Sequence, residues 1–275
     1  MNKKNIFVFF FFFLIFSATF AECAFKLSAK KDIALGTAGL LLTGSDLVLD
    51  AGLKVNRQTF DENQQFDKNS VNAFDRFFMH SYNFTLDRVA GNVLLTGALI
   101  SPLSLLASSP KNDRATYGVM YAETLLIANG LKEISKMIIN RYRPMCYFND
   151  GDSYSRYKNS GDFANSFVSG HSTMAFAGAA FTSYVFCKSF PDSKYKYAVC
   201  AGSFSFALAT AVVRVLSGNH FVSDVLAGAV LGSAVGILVP WLHTFGTDGE
   251  KTNSTDSATC TPSLLMNGFC MRINF

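Results

Sequence analysis

Charge is scarce in this chain. Asp, Glu, Lys and Arg make up 16% of its 275 residues, against a hydrophobic share of 49%. Soluble domains carry about a quarter charged residues, so the shortage points to a membrane. The net charge is only +4 and no basic stripe is present, which excludes a nucleic-acid binder. Ligand patterns are missing too. Cys23, Cys146, Cys187, Cys200, Cys260 and Cys270 form no CxxC pair and no Cys/His spacing, which argues against a zinc site. No carboxylate cluster has the spacing of a two-metal centre. Internal repeats are absent.

What is present is a succession of apolar stretches. Lys3 and Lys4 precede an apolar run from Ile6 to Phe16, followed by small residues up to Ala21. That is the pattern of a secretory signal, residues 1–21, either cleaved or kept as an anchor. Residues 22–88 read as an extracytoplasmic and interfacial segment. Within it, Ile33–Leu49 is apolar, glycine-rich and short, and Ala73–Val89 has the periodicity of an amphipathic helix. Val89–Pro110, Thr116–Asn140, Thr173–Cys187, Tyr197–Val213 and Val225–Gly246 read as five spans of an all-α, membrane-embedded bundle over residues 89–246. Small residues crowd the third and fifth, which lets helices approach closely in lipid. A soluble all-α core is the alternative. Residues 247–275 form a polar tail.

Chemistry-bearing residues fall in three clusters at helix ends. Lys136 and Arg143 are seven apart, the spacing of one helix face, and Pro144 ends the helix. Two such cations at the end of a membrane helix call for an anion, or else snorkel to the interface. Ser169, Gly170 and His171 stand where a helix begins, offering free N–H groups and a titratable imidazole. Arg214, His220 and Asp224 surround the break at Gly218; a carboxylate four residues on can orient an imidazole and leave its other nitrogen nucleophilic. Each cluster alone also fits an ordinary cap or ion pair. Together they offer what a tetrahedral phosphate needs: cations, N–H donors, a nucleophile and an acid.

At these residues the chain resembles the type 2 phosphatidic acid phosphatases, whose superfamily includes bacterial class A acid phosphatases and vanadium haloperoxidases. The family pattern is Lys, six residues, Arg-Pro; then Pro-Ser-Gly-His; then Ser-Arg, five residues, His, three residues, Asp. Lys136, Arg143 and Pro144 meet the first element. Ser169, Gly170 and His171 meet the second, with Val168 in place of proline. Arg214, His220 and Asp224 meet the third, with Val213 in place of serine. The resemblance implies that His220 attacks phosphorus, Asp224 orients it and His171 protonates the leaving group. It implies that Lys136, Arg143, Ser169, Gly170 and Arg214 hold the phosphoryl oxygens, with no cofactor and no metal. The expected substrate is a lipid phosphate or diphosphate: polyprenyl diphosphate, phosphatidic acid, phosphatidylglycerophosphate or a lipid A phosphate. A soluble-type periplasmic acid phosphatase and a vanadium haloperoxidase are the alternatives.

Sidedness follows from counting. The loops opposite the clusters, Pro110–Ala115 and Lys188–Lys196, carry Lys111, Arg114, Lys188, Lys194 and Lys196. Short basic loops stay in the cytoplasm, so the site is expected to face the periplasm from a bacterial-type inner membrane.

Overall fold

A computed structural model describes residues 24–46, 48–49, 61, 63–244, 265–266 and 269–270. The signal expected at residues 1–21 and nearly all of the tail expected at 247–275 lie outside these. Of the tail, only a two-residue antiparallel pairing of Leu265–Met266 with Phe269–Cys270 is described. Among the described residues, every other regular element is helical, apart from a single bridge between Arg141 and Asn165.

The principal helices are α1 (Ala29–Asp46), α2 (Ala73–Phe77), α3 (Asn92–Ile100), α4 (Leu103–Ser108), α5 (Lys111–Ile138), α6 (Gly151–Ser160), α7 (Gly170–Ser189), α8 (Lys196–Leu216) and α9 (Val222–Leu242). A π-helical turn, Leu86–Gly91, leads into α3. Three segments are long and apolar enough to cross a membrane: Leu86–Leu106, Lys196–Leu216 and Val222–Leu242. Their lengths, about 30 Å at 1.5 Å per residue, match the hydrocarbon core of a bilayer. Many of their outward side chains are apolar and exposed, including Val93, Leu208, Leu226 and Val230. This is the build of a multi-pass membrane protein.

Close approach of α7 and α9 organises the bundle. Gly228, Gly232 and Gly236 place bare backbone against the carbonyl oxygens of Ser169, Thr173 and Ala177. A methyl at Gly232 would stand 2.1 Å from the Thr173 oxygen. The small-residue spacing in the sequence thus sets a close parallel contact, and both helices start at the same end of the bundle.

Two sequence expectations are corrected. The apolar stretch Ile33–Leu49, expected at an interface apart from the bundle, supplies most of α1, which packs along α5 in the same direction. Phe25 meets the Tyr117 ring, Gly39 lies on Leu126, and the Thr43 hydroxyl donates to the Leu126 carbonyl at 3.0 Å. Counting α3 and α4 as one, six long helical segments therefore pack in the bundle where five were expected. The expected helix Ala73–Val89 is broken after Phe77. Asn72 caps α2 by accepting from the Asp75 N–H, and Asp75 turns inward to accept from Ser223. The chain then runs without helix until residue 84, passing under Gly218, whose φ of 71° no β-carbon could share with the His80 and Ser81 carbonyls.

Candidate active site

The site lies where α5, α8 and the loops after them meet the starts of α7 and α9. α5 ends at Ile138, well before Arg143, so the one-helix spacing argued from sequence is not what brings Lys136 and Arg143 together. Residues 141–143 are instead extended and zipped to 163–166. Arg141 N–H donates to Ala164 O at 2.9 Å, Arg143 N–H to Phe163 O at 2.8 Å, and Ser166 N–H to Arg141 O at 3.0 Å. This pairing fixes Arg143 beside the loop that precedes α7.

A cavity of about 640 Å³ collects Lys136, Arg143, Gly170, His171, Arg214 and His220. Its wall also holds Lys132, Arg88 and Arg156, against two carboxylates, Asp87 and Asp162. Arg214 is buried and pairs with Asp87, and its Nε finds no hydrogen-bond partner among the described residues. A buried donor of that kind suits an incoming anion. Lys136 and Lys132 share Glu133, with Lys136 Nζ at 3.0 Å from one carboxylate oxygen.

His220 is buried, and its two nitrogens have different surroundings. Nδ1 is 2.8 Å from the Ser166 carbonyl oxygen, to which it can only donate. That leaves Nε2 with its lone pair, 3.2 Å from Arg143 Nη1 on the cavity wall. Burial first, then the positive charges of Arg143 and Arg214, hold the His220 imidazole well below its ordinary value of 6.5. The ring is a neutral base with its nucleophilic nitrogen aimed at the cavity.

Asp224 is placed differently from the sequence expectation. Its Oδ2 lies 3.9 Å from His220 Nδ1, outside hydrogen-bonding reach, because the Ser166 carbonyl takes that nitrogen. Asp224 accepts instead from the Ser166 hydroxyl at 2.6 Å and from the Phe221 N–H at 2.9 Å. It therefore holds both the residue that carries the imidazole's acceptor and the residue after the imidazole. Arg141 pairs with both Asp224 and Asp75, and Asp75 accepts from the Ser223 N–H and hydroxyl. Although burial opposes it, this set of bonds from Ser223, Asn72 and Arg141 keeps the Asp75 carboxyl below its ordinary range.

Ser169 is also displaced from its expected role. It is the N-cap of α7, its hydroxyl accepting from the Ser172 N–H at 3.4 Å, and it is fully buried off the cavity wall. Gly170 and His171 do reach the cavity. His171 Nε2 is 3.4 Å from Asn92 Oδ1, which reaches across from the start of α3. Sequence reasoning missed Asp87, Asn92, Arg141, Asp162 and Ser166. Only Asp87 and Arg141 carried a signal: both are charges beside an apolar helix, where each needs a partner.

The region that builds this cavity matches a known family model over residues 117–248. That model is of the PAP2 superfamily. All six cavity-lining residues expected from the three motifs, Lys136, Arg143, Gly170, His171, Arg214 and His220, lie within this match. A PA-phosphatase related-family protein of Dictyostelium discoideum is 36% identical over 84 residues, 28% of this chain and 31% of that protein. A lipid A 1-phosphatase of Porphyromonas gingivalis is 34% identical over 90 residues, 33% of this chain and 19% of that protein. The chain thus spans a third or less of the length of these relatives. Among solved structures, a transmembrane PAP2 type phosphatidylglycerolphosphate phosphatase from Bacillus subtilis is similar with a TM-score of 0.35 and 21% identity, over 77% of this chain and 95% of that one.

Proposed function

We propose that this chain hydrolyses a lipid phosphate or diphosphate ester through a phosphohistidine at His220. The observation that carries the reading is the pairing of a neutral, oriented imidazole with a cation-rich cavity: Nδ1 is tied to Ser166 O, and Nε2 lies 3.2 Å from Arg143 Nη1 in a cavity that Arg214 also lines. The Nε2 lone pair forms a bond to phosphorus while the P–O bond to the leaving group breaks. The leaving oxygen takes its electron pair and a proton from His171. Water then attacks the phosphohistidine, His171 accepts the water proton, and the P–N bond breaks to return the lone pair to His220 and release phosphate. Lys136, Arg143 and Arg214 offset the charge on the equatorial oxygens. Asp224 acts at one remove by fixing Ser166 and Phe221.

Lipid substrates are favoured over soluble ones because the cavity opens among helices with apolar outward faces, and Phe84, Leu95 and Met174 line it beside the cations. The relatives named as a PA-phosphatase related-family protein and a lipid A 1-phosphatase fit this reading. The test is turnover by the purified, detergent-solubilised chain on a panel of phosphatidate, polyprenyl diphosphate, phosphatidylglycerophosphate and lipid A. Turnover of a water-soluble monoester at least as fast as every lipid would favour the periplasmic acid phosphatase reading instead.

We also propose that the site faces away from the cytoplasm. α1 starts at the opposite end of the bundle, adding Lys26, Lys30 and Lys31 to Lys111, Arg114, Lys188, Lys194 and Lys196 there. Basic charge so concentrated belongs to the cytoplasmic side. A cleaved signal just ahead of α1 would put that end outside, so the two sequence arguments now oppose each other. Labelling of a single cysteine at position 194 by an impermeant reagent in intact cells would contradict the proposed orientation.

A further inference from the structure

At the end of the bundle away from the cavity, three ligand-type side chains from α1, α5 and the end of α9 converge, two of them buried and Asp32 half-buried. His243 is fully buried, and its Nε2 lies 3.1 Å from Asp32 Oδ1 and 3.3 Å from Glu123 Oε2. All three ligand atoms lie within 4.8 Å of one another. His243 Nδ1 is 2.8 Å from the Val239 carbonyl, to which it donates, so Nε2 is the nitrogen turned toward the two carboxylates and the one that can give its lone pair to a cation. Glu123 is 4% exposed, and neither of its carboxylate oxygens has a hydrogen-bond partner among the described residues. Two carboxylates between membrane helices are costly unless a cation joins them.

We propose that Asp32, Glu123 and His243 form a structural site for one borderline divalent cation of the Zn²⁺ type. The spacing suits it: bonds of about 2.0–2.1 Å in tetrahedral geometry put ligand atoms about 3.3 Å apart, close to the two separations from His243. One nitrogen and two carboxylate oxygens suit such an ion better than Mg²⁺ or Ca²⁺, which take oxygen alone. The Asp32 side chain is 21% exposed, which leaves an entry path and room for a water as fourth ligand. The ion would pin α1 and α5 to the end of α9. Asp224 and His243 are separated by about 28 Å of helix at 1.5 Å per residue, so this site is distinct from the phosphate cavity and does not depend on the phosphatase reading.

The test uses the full-length, tag-free chain in detergent, stripped with a chelator and re-equilibrated with Zn²⁺. Metal analysis after removal of excess ion is expected to find one zinc per chain, with a thermal midpoint several degrees above that of the stripped protein. His243→Ala and Glu123→Gln lose both the zinc and the shift, whereas Cys187→Ser keeps both. If His243→Ala cannot be purified, Asp32→Asn at the exposed edge reads the same loss. A wild-type chain that takes up no zinc and melts alike with and without it overturns the proposal, as does zinc retained in every one of the acidic and histidine variants.

Discussion

The two ends of the bundle gather buried polar groups in opposite proportions. At one end six cations line an open cavity with two carboxylates. At the other, two carboxylates, Asp32 and Glu123, face one histidine, His243. The same physics governs both: a buried charge must meet its opposite, and the sign in surplus foretells the sign of what binds. At the cavity the partner proposed is a phosphate, and at the far end a metal cation.

Changes that break the site end should differ in size according to how deeply each group is tied in. Arg141→Leu leaves Asp75 and Asp224 buried without their shared cation, an expected loss of about 3–5 kcal/mol in stability, read as a sharp fall in thermal midpoint. Arg214→Ala removes a cation that faces the cavity and is expected to lower kcat/KM about 10²–10³-fold in steady-state assays on a lipid phosphate. Gly232→Ala forces α7 and α9 apart and should cost about 1–3 kcal/mol. Gly202→Ala, where a methyl would meet nothing within 4 Å, should leave the midpoint unchanged or slightly higher.

The smallest expected effect is in the pH dependence. Because the folded His220 has a depressed pKa, the unfolded chain takes up the proton first as pH falls through about 6.5. Stability from this group is therefore present above that pH and is lost as pH falls below it. For the same reason His220 stays neutral and nucleophilic below pH 6.5. The acid limb of kcat/KM is expected at a lower pH than for a free imidazole. An acid limb centred above 6.5 would contradict a buried, cation-flanked nucleophile.

The cavity's principal residues were legible because the three motifs keep fixed spacing around apolar helices. Lys136, Arg143, Gly170, His171, Arg214 and His220 stand out in sequence and lie on one cavity wall in the structure. What sequence could not show is which partner each would take. The four-residue step from His220 to Asp224 suggested a direct bond, yet a loop 54 residues earlier supplies the acceptor through the Ser166 carbonyl, which no side-chain pattern reveals. The helical membrane class was legible from charge scarcity, and the glycines of α9 signalled a close contact. The membership of α1 in the bundle was not, because its glycines, Asp46 and short apolar reach read as an interfacial segment. Asp32, Glu123 and His243 are too far apart in the chain for any spacing rule to join them.

The central claim is the covalent role of His220. Rapid acid-free quenching of the chain during turnover of a phosphatidate labelled with ³²P at its phosphate tests it most directly. An acid-labile, base-stable label on the wild-type protein that disappears in His220→Ala, together with a fall in turnover of at least about a thousandfold, is the predicted result. Label that persists on the His220→Ala protein, or full turnover without it, would contradict the account.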